Sequence, residues 1–200
     1  MPPATTGFLL GKFLPLHRGH MYLIETARRR VDHLTVLVCS LSREPIPGQL
    51  RYQWVRELYP DVNVQHLTED VPQYPGEHPD FWNIWLNVIR RFVPTGPDFV
   101  FTSETYGDQL AALLGAKHIC VDLNRQTFPV SGTAVRDNPL AYWDFIPPPV
   151  QAYYSGQFNG TRNIADGLQA SPFGIADSLQ AIPIGAEHES RPNGMLRDIA

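Results

Sequence analysis

Cysteine is scarce, with two in 200 residues. Cys39 and Cys120 each lie in an apolar run, and neither belongs to a C-x-x-C pair. That speaks against a thiolate zinc site or a dithiol redox motif and makes both read as buried core thiols. Basic charge is not in excess: 16 Lys and Arg face 20 Asp and Glu, for a net charge of −4. With no strongly basic stretch, a nucleic-acid-binding surface is not expected. No apolar run approaches the roughly 18–20 residues of a membrane span. The opening MPPATTG has neither a basic region nor a long apolar one, so no secretory signal is read and a cytoplasmic location is expected. What is present is enough apolar residue, 43%, to bury a core in one domain.

Short apolar runs alternate with segments of helical spacing. Strands are predicted at 7–13, 34–41, 62–67, 98–103 and 117–123, and helices at 19–31, 48–60, 80–92 and 106–115. LTVLVCSL, at 34–41, is nearly continuous, as in a strand buried on both faces. Pro60 and Gly115 read as helix stops. Five strands interleaved with helices predict an α/β fold with a mostly parallel sheet, joined by right-handed crossovers. In such sheets ligands bind outside the carboxyl ends of the strands. GKFLPLHRGH (11–20), FTSETYG (101–107) and VDLNRQTFPVSGTAVR (121–136) all fall there. Beyond about residue 155 the character changes: IADGLQASPFG and IADSLQAIPIG form an eleven-residue tandem repeat over 164–185. The expected division is a domain at 1–155 and a tail of low order at 156–200, with short helical turns at most.

His17 and His20 stand three apart at a predicted helix start, so they share a face, with Gly19 between them. Spacing leaves three readings open. The helix end is a cradle for a phosphate; or His17 caps the turn and His20 packs; or the pair binds a metal, which needs a third ligand that no local carboxylate offers. SGTAVRDNP (131–139) reads as a short helix capped by Ser131, with Thr133 and Arg136 in its first turns. Hydroxyls and a guanidinium fork suit phosphate, although alone the segment is an ordinary capped helix with a surface arginine.

GKFLPLHRGH followed by SGTAVR resembles the paired HxGH and SxTxxR signatures of the nucleotidyltransferase superfamily. More narrowly, the chain is similar to the archaeal-type nicotinamide mononucleotide adenylyltransferases and to the adenylyltransferase domain of NadR-like proteins. RYQWVRELYP, FTSETYG, LNRQTFPVSGTAVR and WDFIPPPV share the likeness, which runs from about residue 7 to 154. The resemblance implies a Rossmann-like sheet of about five strands with helices on both faces. It implies that His17, His20 and Arg136 act on the reacting phosphates, with Gly11, Lys12, Phe13, Gly19, Ser131 and Thr133 around the ATP. Ser103 and Tyr106 would line the adenosine pocket. Trp85 falls where a tryptophan stacks on the nicotinamide ring, with Trp82 its rival one turn away, and Asn124 and Arg125 would contact nucleotide. Mg²⁺ would bridge the phosphates, with no dedicated protein metal site. Partners would be ATP and nicotinamide mononucleotide, with no nucleic acid and no membrane, and a homo-oligomer is open. No helix-turn-helix precedes residue 7 and no GxxxxGK[ST] loop follows residue 155, so neither DNA binding nor ribosylnicotinamide kinase activity is expected.

The implied reaction is adenylyl transfer from ATP to nicotinamide mononucleotide, giving NAD and pyrophosphate. Phosphate is already a nucleophile at pH 7, so cations and hydroxyls without a nucleophile–base pair are what the chemistry needs. The rivals are the same fold with another acceptor (nicotinic acid or flavin mononucleotide, or pantetheine phosphate, which a tryptophan pair disfavours) and a catalytically silent nucleotide sensor.

Overall fold

The computed structural model describes residues 3–168. Five strands, β1 (Thr6–Gly11), β2 (His33–Cys39), β3 (Asn63–Leu67), β4 (Phe99–Thr102) and β5 (Lys117–Cys120), form one parallel sheet in the order β3-β2-β1-β4-β5. Between them run α1 (Arg18–Arg28), α2 (Gly48–Leu58), α3 (Phe81–Phe92) and α4 (Gly107–Leu114). α5 (Gly132–Asp137) and α6 (Pro148–Leu168) follow.

Strand alternation sorts the core into two layers. Leu9 of β1 and Leu34, Val36 and Val38 of β2 face α1, α2, α5 and α6. Phe8 and Leu10 of β1 and Leu37 and Cys39 of β2 face α3 and α4. Both faces of β1 are therefore dry, and Phe8 and Leu9 are 0% exposed. This is why the central strands read as unbroken apolar runs. α3 buries Phe81, Trp85, Val88 and Ile89, the stripe its helical spacing predicts.

The chain winds outward from β1 to β3, then returns to the other side of β1 with β4. The loops after β1 and β4 consequently diverge, and a crevice opens between their carboxyl ends.

One expectation is corrected. Cys120 is exposed rather than a core thiol, because β5 is an edge strand with only β4 beside it. Cys39 is buried, and burial pushes its thiol up to about 12, so it is inert. α6 runs through residue 155 to Leu168, and Val150 and Tyr154 anchor its first turns to the core. Residues 169–200, with most of the tandem repeat, lie outside the described residues. Among the described residues no helix is long and apolar enough to cross a membrane.

Candidate active site at the carboxyl edge of the sheet

A cleft opens at this crevice. Gly11, Lys12, Phe13, His17, Gly19 and His20 line one side, Ser103 and Tyr106 another, and Arg125, Gly132 and Arg136 a third. Among the described residues, three other than glycine have positive φ: Phe13 at 49°, Asp122 at 53° and Arg125 at 52°. All three line the cleft. Such backbone costs of order 1 kcal/mol or more per residue and persists where the surroundings over-determine it, which concentrates at functional sites.

His17 settles its own tautomer. It is the N-cap of α1, and its Nδ1 accepts the Gly19 N–H at 3.1 Å. Burial, then the neighbouring His20 and Arg125, hold its pKa well below the usual imidazole value. The ring is therefore neutral, with its hydrogen on Nε2, a donor at a helix N-terminus. His20 stacks on it with centroids 3.8 Å apart, and Phe13 meets His20 edge-on at 5.1 Å. Capping thus uses Nδ1 and leaves Nε2 as the donor of the ring.

Lys12 belongs to a buried charge cluster. Its Nζ lies 2.9 Å from Glu44 Oε1, and the other Glu44 oxygen meets Arg51. Arg51 is 0% exposed; it donates to the carbonyls of Lys12, Cys39 and Ile46. One guanidinium thereby ties the ends of β1 and β2 to the 41–46 loop. Desolvation lowers the Lys12 pKa against the pull of Glu44. Desolvation pushes Glu44 up, but the Leu41 N–H, Lys12 and Arg51 together hold it below the usual carboxylate value. Sequence reading left Glu44 and Arg51 without a role, because their partners are non-local.

The downstream signature docks directly on the upstream one. Ser131 caps α5, accepting the Ala134 N–H at 3.1 Å. Arg136 donates through Nη1 to the Leu14 carbonyl, 122 residues earlier, and through Nη2 to Thr133 Oγ1 at 3.2 Å. Gly132 makes this contact possible: a Cβ there would sit 2.4 Å from the Leu14 oxygen. Ser131 and Thr133 therefore serve the geometry of α5 and Arg136, and neither lines the cleft itself. The Asp122 carboxylate gathers the N–H groups of Gln126, Thr127 and Phe128, shaping the loop that carries Arg125. Arg125 pairs with Glu104 across the mouth at 3.3 Å. Asn124 is exposed and does not line the cleft.

Beside the cleft, and sharing Leu10 and Tyr106 with it, lies a small recess lined by Phe81, Trp82 and Trp85. Trp85 is 2% exposed, and its indole N–H donates to Pro72 O at 2.9 Å. Trp82 is half-buried, edge-on to Phe81 at 5.1 Å.

The family model for cytidylyltransferase-like proteins matches residues 8–138. The chain belongs to the cytidylyltransferase-like family. The trifunctional NAD biosynthesis/regulator protein NadR of Escherichia coli (strain K12) is 30% identical over 171 residues, covering 75% of this chain and 40% of that protein. The nicotinamide-nucleotide adenylyltransferase of Methanoculleus marisnigri is 25% identical over 162 residues, covering 79% and 94%. A crystal structure of a NadR protein in complex with NAD and AMP-PNP superposes with a TM-score of 0.53 at 23% identity, over 72% of this chain and 45% of that one. That of a bifunctional NMN adenylyltransferase/ADP ribose pyrophosphatase from Francisella tularensis, complexed with AMP and a Mn ion, gives 0.55 at 13%, over 86% and 57%. These structures share the fold. The chain spans about two fifths of the length of the first of these relatives. The sequence-based fold and the superfamily resemblance both agree with these findings.

Proposed function

We propose that this chain is a nicotinamide-nucleotide adenylyltransferase, joining nicotinamide mononucleotide to the AMP of ATP with release of pyrophosphate in NAD biosynthesis. The observation that carries the reading is the meeting of two distant segments on one cleft: His17 and His20 from the β1–α1 turn, and Arg136 bound to the Leu14 carbonyl of that same turn. Relatives named for NAD biosynthesis and nicotinamide-nucleotide adenylyl transfer support it.

In the reaction an oxygen of the mononucleotide 5′-phosphate forms a bond to the α-phosphorus as the bond to the pyrophosphate oxygen breaks. The nucleophile is ionised at pH 7, so no side chain removes a proton. The chain's part is to position and to stabilise charge on the leaving pyrophosphate. The neutral His17 donates from Nε2, His20 stands parallel to it, and the Lys12 ammonium and Arg136 guanidinium supply positive charge. Gly19 lets phosphate approach the α1 N-terminus. Ser103 and Tyr106 line the adenosine side. Trp82 and Trp85 receive the flat acceptor base, with Trp85 as the fixed wall and Trp82 as the ring with a face to spare.

Mg²⁺ fits as a companion of ATP. Among the described residues no three His, Cys, Asp or Glu side chains cluster as metal ligands, and the cleft's Glu104 and Asp122 carboxylates are engaged by Arg125 and backbone N–H groups. The ion would be held by phosphate oxygens and water beside Lys12, His17 and Arg136, where it neutralises phosphate charge. The two cysteines, neither in a disulfide, suit a cytoplasmic location.

The test is direct. Incubation with Mg-ATP and nicotinamide mononucleotide should yield NAD and pyrophosphate. Dinucleotide from only the nicotinic acid or flavin mononucleotide would replace the acceptor, and binding without any dinucleotide would sink the enzyme reading. His20→Ala should lower turnover by about two orders of magnitude with the fold intact, the scale of losing a positioned charge-stabilising donor. Near-normal turnover would remove His20 from the phosphate site.

A further inference from the structure

Behind the wall of the cleft that carries Lys12 lies a carboxylate that the reaction as described does not use. Glu44 sits in the loop after β2 and is not among the residues lining the cleft. Lys12, which does line it, places Nζ 2.9 Å from Glu44 Oε1. The other oxygen, Oε2, accepts the Leu41 N–H at 2.9 Å and meets the Arg51 guanidinium. Arg51 is fixed in turn by the carbonyls of Lys12, Cys39 and Ile46. One buried carboxylate thus joins a rigid part of the fold to a lysine at the cleft wall.

A lysine carries its charge on a flexible stem, so the ammonium keeps one place only where a partner holds it. Here the partner is immobile, because its second oxygen is spent on backbone and on a buried guanidinium. Glu44 Oε1 takes one of the ammonium hydrogens and leaves the rest for the cleft. The charges point the same way. Lys12 and Arg51 share a single carboxylate, so a positive charge is left over at the wall where an anion would arrive. Burial works against the ammonium form, Glu44 supports it and Arg51 opposes it. Without Glu44 the two cations would face each other unscreened. The ammonium would be the one to move, since three carbonyls hold Arg51 in place. We infer that Glu44 is a positioning residue for the triphosphate: it holds the Lys12 ammonium at the cleft wall against the repulsion of Arg51, with N–H donors left for phosphate. The inference rests on the ATP-binding reading of this cleft.

Calorimetry with Mg-ATP on the full chain tests it in the wild type, Lys12→Met, Glu44→Gln and the double variant. Lys12→Met should lower affinity about tenfold to a hundredfold, the worth of a hydrogen bond from a charged donor. Glu44→Gln keeps the shape of the side chain and should lower it about tenfold where Lys12 is present. In the Lys12→Met background the same substitution should change affinity by less than about twofold, because its effect runs through the ammonium. Adenosine, which has no phosphate, should bind all four proteins alike, whereas a merely structural role for Glu44 would weaken it too. Should Glu44→Gln not fold, Glu44→Asp keeps the charge, draws it back by one methylene and enters the same cycle. The wild type supplies a reading of its own, since Lys12 and Lys117 are its two lysines. In side-chain nitrogen NMR, Mg-ATP should shift the Lys12 Nζ resonance and leave that of Lys117, on the edge strand β5, in place. Equal losses from the Glu44 variant in both backgrounds, weakened adenosine binding or an unmoved Lys12 resonance would overturn the inference. Any of these together with dinucleotide formation refutes the positioning role alone. The expected cycle with no dinucleotide from any acceptor refutes the transferase reading alone.

Discussion

Gly132→Ala separates the docking of the two signatures from ordinary helix energetics, because the two arguments predict opposite signs. Gly132 is the first residue of α5. An alanine in a helix is worth up to about 1 kcal/mol over glycine, so propensity alone predicts a more stable protein. The structure predicts the reverse. The new Cβ would sit 2.4 Å from the Leu14 oxygen and 3.2 Å from its carbonyl carbon, where real Cβ atoms essentially never come within 3.0 Å of another atom. Relief needs a shift of about 0.6 to 1 Å, and the obstacle is backbone that cannot rotate away. That oxygen also accepts from Arg136, so the shift parts α5 from the β1–α1 turn and displaces the guanidinium from its place in the proposed phosphate site. Overpacking of this kind costs about 1–3 kcal/mol, and a displacement near 1 Å costs about 10²-fold in rate. Urea denaturation should show the loss, and steady-state dinucleotide synthesis should show kcat down about a hundredfold. A variant of equal or greater stability with near-normal kcat would refute the claim that Gly132 is required for the meeting of the two walls.

Acid should weaken the fold through His17. Its folded pKa lies below the unfolded value, so the unfolded chain binds more protons as pH falls under about 6.5 and stability drops there. The melting temperature of His17→Asn should fall less between about pH 6.5 and 5, and equal slopes would disprove a buried neutral imidazole. Glu44→Ala should destabilise by about 3–5 kcal/mol in denaturant titration, since it strands the Arg51 and Lys12 charges in the interior; a cost under about 1 kcal/mol would mean that water reaches the cluster. Trp85→Ala should cost about 3–5 kcal/mol as a core cavity. Trp82→Ala should instead raise KM for the mononucleotide about tenfold and spare KM for ATP, as loss of a stacking face does. An unchanged mononucleotide KM in Trp82→Ala would leave the aromatic pocket without a role in acceptor binding.

The fold was legible wherever the cause was local. Alternating periodicities placed the five strands, Pro60 and Gly115 marked helix stops, and Ser131 announced its cap. Long-range contacts left no such trace. Nothing local marks Arg51, yet it is fully buried because three carbonyls and Glu44, from the ends of β1 and β2 and the 41–46 loop, converge on it. Gly132 reads as a spacer inside a signature until the Leu14 oxygen is seen beneath it. Cys120 misled because an apolar strand at a sheet edge has the composition of a central one.

In the histidine pair, the cap seen in the structure and the proposed phosphate contact make demands on the same ring. From spacing, capping and ligand binding looked like rival uses of His17. They are one arrangement. A neutral imidazole has one acceptor nitrogen and one donor nitrogen. Spending the acceptor on the Gly19 N–H fixes the donor on the opposite side of the ring, and burial keeps the second proton off. Without the cap, the ring could present either a lone pair or an N–H to a phosphate, and a lone pair would repel it. In the proposed site the cap is therefore a condition of the phosphate contact. The same logic applies to Thr133, whose hydroxyl holds the Arg136 fork, so that Thr133→Val should weaken ATP binding through the guanidinium although Thr133 itself stands outside the cleft.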